Sequence, residues 1–255
     1  MTYLSRVIIN PLRAQSRTML ASPRVMHAYV CAGIPGTPDS ERILWRLDVD
    51  NPHRPQLFVL TQSKPDWTHI VEAAGWPDAD DEHVTIGDYT PLLARVAPGR
   101  EHAFRLTASP VQNTNRPDKP TPAQAARIAA GDNRSFRLAH RTASAQLEWL
   151  LNRTTRNGFE IPPARTDPAI ADLADDKALP APDVRLIARD RREFSKGDRG
   201  KRITLHTATF EGRLRVTDSA LLTSALLQGI GPSKAYGCGL LTLAPLPSGQ
   251  RRADG

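Results

Sequence analysis

The histidine at position 27 stands where an imidazole could do chemistry, although on the residues alone a lone histidine near a helix start is more often structural than catalytic. It follows Ser22-Pro23, a capping residue and a proline suited to the first helical position, so a helix should open there and run to about Ala32. His27 would then lie one turn inside the helix N-terminus, where the macrodipole favours the neutral ring and draws in anions. An imidazole with an ordinary pKa of about 6.5 exchanges protons at neutral pH. Arg24 at i−3 and Cys31 at i+4 share its face, whereas Tyr29 at i+2 points elsewhere. Arg24 can hold an anionic oxygen there but cannot act as a general acid. The remaining histidines (His53, His69, His83, His102, His140 and His206) show no metal-ligand spacing and read as surface or structural. The acidic run Asp78–Glu82 reads as an exposed loop. Two cysteines, Cys31 and Cys238, cannot build a four-cysteine zinc site, and no cofactor motif is present, so neither a metal nor a small-molecule cofactor is expected.

A second group of residues suits an anionic partner. Gly229–Leu241 reads GIGPSKAYGCGLL, with glycines at 229, 231, 237 and 239 around Lys234. The spacing is not that of a Walker A loop, and the segment follows a helix where that motif joins a strand to a helix. Gly229, Gly231, Gly237 and Gly239 permit close backbone approach to a phosphate chain, although a tight helix-to-strand connection accounts for the composition equally simply. Arg189–Arg202, RDRREFSKGDRGKR, sets seven basic residues against three acidic ones between two alternating stretches, which makes a hairpin with a cationic tip. Arg191, Arg192, Lys196, Arg199, Lys201 and Arg202 are its candidate phosphate contacts, against the alternative of a solvated loop. Residues 1–112 carry 11 Lys+Arg against 12 Asp+Glu, and residues 113–255 carry 23 against 15. The positive excess of the second half suggests a polyanion, nucleic acid ahead of a membrane surface, unless the sequence simply comes from a basic proteome. With 5% aromatic residues, phosphate contacts should outweigh base stacking.

These groups must be carried on a mixed framework. Alternation over residues 3–9, at Trp45–Val49, Leu57–Leu60 and His102–Ala108, with the helix at 23–32 and a weaker one near Trp67–Ala74, gives the order β-α-β-β-α-β of a ferredoxin-like unit. Residues 113–141 read as a linker that begins in the proline-rich stretch 110–122. A helix from Ala143, strands at Val184–Ala188 and Ile203–Thr209, a continuation of the sheet at Leu214 and Val216, a helix capped by Asp218 and a strand at Leu240–Leu243 make a second α+β unit. The expected fold is therefore α+β, two tandem ferredoxin-like domains: 1–112, the linker 113–141, 142–247, and a tail at 248–255. No apolar run approaches the ~20 residues that span a bilayer. The first residues show no secretory signal, and the two thiols suit a reduced, cytoplasmic setting.

Phe210-Glu211-Gly212 followed by Gly229-Ile230-Gly231-Pro232-x-Lys234-x-x-Gly237-x-Gly239-Leu240-Leu241 resembles the C-terminal signature of the CasE family, the type I-E CRISPR RNA-processing endoribonucleases of the RAMP superfamily. Pro23-x-x-Met26-His27, Leu44-Trp45-Arg46-Leu47, Pro65-Asp66-Trp67 and Phe104-Arg105-Leu106 extend the likeness over nearly all of residues 1–247. The resemblance implies tandem ferredoxin-like domains and metal-independent cleavage of repeat hairpins in precursor CRISPR RNA. The products would be a 5′-hydroxyl and a cyclic phosphate, and the enzyme would remain bound to the crRNA beside other Cascade subunits. The family's catalytic histidine falls on His27. Some members carry a tyrosine three residues earlier, where this sequence departs with Arg24. RNA supplies its own nucleophile, the 2′-hydroxyl, so the protein has only to align the reacting atoms, move protons and stabilise phosphoryl charge. Two rival classes are a non-catalytic subunit that binds an RNA hairpin and a small-molecule enzyme on the same scaffold; the charged hairpin and missing cofactor motif disfavour the latter.

Overall fold

The computed structural model describes residues 1–36, 40–76, 83–165, 180–195 and 202–246. The acidic run at 78–82, the tail at 248–255 and three of the predicted hairpin cations, Lys196, Arg199 and Lys201, lie outside the described residues.

The first unit opens with β1 (Tyr3–Ile8), α1 (Ala14–Ala21) and α2 (Pro23–Ala32). It continues through β2 (Leu44–Asp48), β3 (Gln56–Thr61), α3 (Thr68–Ala74) and β4 (Val84–Asp88). The sheet order β2-β3-β1-β4, with antiparallel pairing throughout, is that of the split βαβ fold. Leu57–Leu60 is a continuous apolar run because both faces of this sheet are covered. Leu57 and Val59 join Val7, Met26, Val30 and Trp67 in one core, while Leu60 and Leu44 face the other way into the core of the second unit.

That second unit begins earlier than the sequence suggests. The strand expected to close the first domain, here β5 (Glu101–Ala108), lies between β10 (Arg202–Val216) and β11 (Leu241–Ala244). The boundary expected at 112 therefore falls before β5, and the first sheet is closed by β4. Sequence alternation misses that strand because VTIGD has no fully buried face. After α4 (Thr90–Leu93), the second sheet runs β11-β5-β10-β8, with β8 at Phe159–Glu160, and β9 (Val184–Ser195) pairs along β10. The segment expected as a linker is also partly structured. It holds β6 (Val111–Thr114) paired with β7 (Phe136–Ala139), and α5 (Pro122–Ala129) with a Thr121–Gln124 capping box. Behind the sheet lie α6 (Ala143–Leu151) and α7 (Ser219–Gln228), the latter capped by Asp218 as its sequence requires. The two tandem ferredoxin-like units are thus present, with a displaced boundary. No helix among the described residues is long and apolar enough to cross a membrane.

Candidate active site

Helix α2 is built as its sequence predicts. Ser22 Oγ accepts a hydrogen bond from Val25 N at 3.4 Å, and Pro23 opens the helix where no N–H partner is required. Met26 and Val30 anchor the helix in the core, which leaves His27 half-buried at the margin. Cys31 Sγ lies 3.6 Å from Nε2 and 3.8 Å from Nδ1, beside the ring. Burial disfavours the imidazolium and holds the His27 pKa below its ordinary value. Tyr29 turns away, donating from its hydroxyl to Gln15 on α1.

Opposite His27 is the glycine-rich loop. Its Lys234–Tyr236 segment forms a 3-10 turn packed against α2. The glycines shape it: Gly237, at φ +80°, lies so close to the Trp45 ring that an added Cβ would sit 2.7 Å from it. Gly231, at φ +85°, would place a Cβ 2.9 Å from Trp149. Cys238 is fully buried, and desolvation pushes its thiol up to about 12, so it is a core filler. His27, Lys234, Ala235, Gln228, Gln62 and the Ser40–Ile43 segment line one cleft of about 580 Å³. Desolvation, assisted by the nearby Arg42, lowers the Lys234 pKa. Glu41 braces the opposite wall: one carboxylate oxygen accepts from the backbone N–H groups of Gln62 and Ser63, and the other is buried without a hydrogen-bond partner among the described residues. An imidazole from the first unit and an ammonium group from the second therefore face the same space.

A family model described as "CRISPR associated protein" matches residues 2–245. The chain belongs to that family. The chain is similar to the CRISPR-associated endoribonuclease Cse3 of Thermus thermophilus, 28% identical over 249 residues, 95% of this chain and 100% of that protein. The Cascade subunit CasE of Escherichia coli is 47% identical over 64 residues, covering 25% of this chain and 31% of its own. A solved structure of Thermus thermophilus Cse3, bound to an RNA representing a pre-cleavage complex, superposes with a TM-score of 0.68 at 25% identity, covering 96% of this chain and 99% of that one.

Within this member of the CRISPR-associated family, the other predicted residues are distributed unevenly. Arg24 is exposed on the first turn of α2, outside the set that lines the His27 cleft, and makes no ion pair with a described residue. Arg191 and Arg202 share one carboxylate, Glu193, with Arg202 Nε 3.2 Å from it. Arg192 crosses to the first unit and donates to Leu20 O at 3.3 Å. Phe194 meets Tyr236 edge-on, with ring centroids 4.9 Å apart, which ties the β9–β10 hairpin to the glycine loop. Gly229 and Gly239 close that loop through Ile230 N donating to Gly239 O at 2.9 Å. Sequence reasoning misses Glu41, Arg42 and Gln62. They stand between or beside strands with no local pattern, and only the packing of β2 and β3 brings them to His27.

Proposed function

We propose that this protein is a metal-independent endoribonuclease that cleaves repeat hairpins in precursor CRISPR RNA by 2′-hydroxyl attack, in the cytoplasm, and stays on the crRNA beside other Cascade subunits. The full-length likeness to a curated CRISPR-associated endoribonuclease supports the reaction class. The observation that carries the reading to this site is the shared cleft of His27 and Lys234. In the reaction the 2′-oxygen bonds to phosphorus as the P–O5′ bond breaks, leaving a cyclic phosphate and a 5′-hydroxyl. His27, kept neutral by burial, takes the 2′-hydroxyl proton. Lys234 neutralises charge growing on the non-bridging oxygens, and its lowered pKa makes it a better proton donor to the leaving 5′-oxygen. Arg24 serves from the rim of the site, as a phosphate holder. The β9–β10 cations Arg191, Arg192 and Arg202, with Lys196, Arg199 and Lys201, meet stem phosphates in the deep, narrow groove of A-form RNA.

The test is single-turnover cleavage of a labelled repeat RNA from an array adjoining the gene. A cyclic-phosphate product is expected, a 2′-deoxy substitution upstream of the cut should abolish it, and EDTA should leave the rate unchanged. A strict magnesium requirement would overturn the mechanism. Tight hairpin binding without any product would instead favour a non-catalytic hairpin-binding subunit. The exposed arginine at the position of a family tyrosine is the feature that favours that second reading.

A further inference from the structure

The stretch expected as a linker forms one wall of a second cationic groove. The β6–β7 ribbon is fastened to α6 at two points: Trp149 Nε1 donates to Val111 O at 3.2 Å, and Gln146 Nε2 donates to His140 O at 2.9 Å. Between ribbon and helix lies a groove of about 610 Å³, with Arg137, Arg153, Arg156 and His140 around it and Glu148 as the single carboxylate among the described residues that line it. Two other cations of the same insertion are neutralised, Arg127 and Arg134 both pairing with Asp132 at 2.9 Å. By contrast, Arg137, Arg153 and Arg156 make no ion pair with a described residue. Arg153 stacks 4.1 Å over the Trp149 ring and gives one of its five N–H donors to Trp149 O. Burial, and to a lesser extent the neighbouring Arg156, lower its pKa. Exposed amides at Gln112, Asn113 and Asn152 supply donors and acceptors suited to base edges.

The groove adjoins the candidate active site. Gly231 and Pro232 of the glycine-rich loop line it, and Lys234 of the same loop lines the His27 cleft. Three residues of extended chain span at most about 11 Å, so one strand lying over the loop can occupy both places. We propose that the Arg137–Arg153–Arg156 groove holds single-stranded RNA contiguous with the hairpin, as an anchor for the flank that leaves the scissile phosphate. Guanidinium groups match phosphate geometry, and the interspersed amides fit unpaired bases better than a featureless acidic surface. The proposal rests on the ribonuclease reading above.

Its test compares a bare repeat hairpin with the same hairpin carrying a single-stranded extension on its 5′ side, its 3′ side or both. All are titrated against the full chain and against Arg137→Ala/Arg156→Ala, which spares the Arg153–Trp149 stack. The wild type should bind one extended RNA more tightly than the bare hairpin, and the variant should lose that gain while binding the bare hairpin normally. The salt dependence for the extended RNA should become shallower by about 1.4, since each single-strand phosphate that is no longer neutralised removes ~0.7 from the slope. Hairpin binding with no gain from either extension, or an equal loss on bare and extended RNA, would overturn the proposal alone. Retention of the full gain together with lost association with neighbouring protein subunits would reassign the groove to a protein partner. Failure of the wild type to bind any hairpin would overturn the ribonuclease reading as well.

Discussion

At the scale of single residues, His27 is legible because its signals are local. Ser22-Pro23 sets the helix start, and the helix period places Arg24 and Cys31 beside it. What the period cannot show is depth, and depth separates the two candidates. His27 is half-buried in a cleft, whereas Arg24 stays on the exposed rim. His27→Ala should cut single-turnover cleavage by at least the ~10²-fold typical of a lost acid–base group, with hairpin affinity little changed. The wild-type rate should rise with pH as the imidazolium deprotonates, with a midpoint below the ordinary value of 6.5, and be level by neutrality. Glu41, Arg42 and Lys234 face the same cleft, and burial of the ring is what lowers its pKa. A midpoint above 7 would contradict a buried neutral base. In the proposed mechanism Arg24 and Lys234 divide the remaining charge stabilisation, commonly ~3 kcal/mol for one well-placed donor. Lys234→Ala should therefore cost about a hundredfold in rate at saturating RNA, and Arg24→Ala distinctly less. The reverse ranking would return the principal partner of His27 to α2. Arg24→Tyr, which restores the arrangement of some relatives, should retain activity.

At the scale of elements, alternation locates most of the strands but cannot say which sheet each one joins. β5 shows the reason: its pattern at Phe104, Leu106 and Ala108 is that of any half-buried strand, and its partners lie about a hundred residues away on β10. The charges around it carry the information that alternation lacks. Glu101 at its start receives Arg213 Nη1 and Arg215 Nη2 from β10, each at 2.8 Å, which draws its pKa down to about 2. Because the folded pKa is depressed, this contribution to stability is complete above the ordinary carboxylate range. It is lost as pH falls from about 4.5 toward 2. Glu101→Gln should consequently lower the urea midpoint at pH 7 and converge with the wild type near pH 2. A constant deficit across that range would mean that packing, not the two arginines, accounts for the loss. The 113–141 segment escapes sequence reading for a related reason: β6 and β7 are four residues each, and they are held by Trp149 and Gln146 from a helix that follows them.

At the scale of the molecule, the site exists only where the two units meet. His27 belongs to the first and Lys234 to the second, so the chemistry depends on how firmly the sheets are held together. One buried side chain dominates that junction. Arg46 on β2, 2% exposed, pairs with Asp48 at 2.7 Å. It also donates across the interface to Arg105 O at 3.0 Å, Leu240 O at 3.2 Å and Thr242 Oγ1 at 2.9 Å. Arg105 in turn pairs with Asp48 at 3.0 Å, and with Asp50 and Glu211 at 2.5 Å, so the carboxylates are shared between sheets. Leu240 immediately precedes β11, the strand that leaves the glycine loop, so the clamp holds the end of the loop that carries Lys234. Removing one partner of a buried ion pair commonly costs ~3–5 kcal/mol, because the acceptors it served remain dry and unpaired. Arg46→Ala should therefore lower the melting temperature. The more telling readout is kinetic. On the proposed reading, the β9–β10 cations of the fraction that remains folded should still grip the stem, while the distance between His27 and Lys234 is no longer fixed. Cleavage at saturating RNA should fall by more than tenfold as affinity changes only a few-fold, since small misplacements in a site of this kind are expensive in rate. Arg46→Lys keeps the charge but cannot span Asp48 and three interface acceptors at once, so it should recover stability better than rate. Equal losses of rate and affinity would show that Arg46 merely supports folding, and that the cleft is positioned by the packing of Leu44 and Leu60 alone.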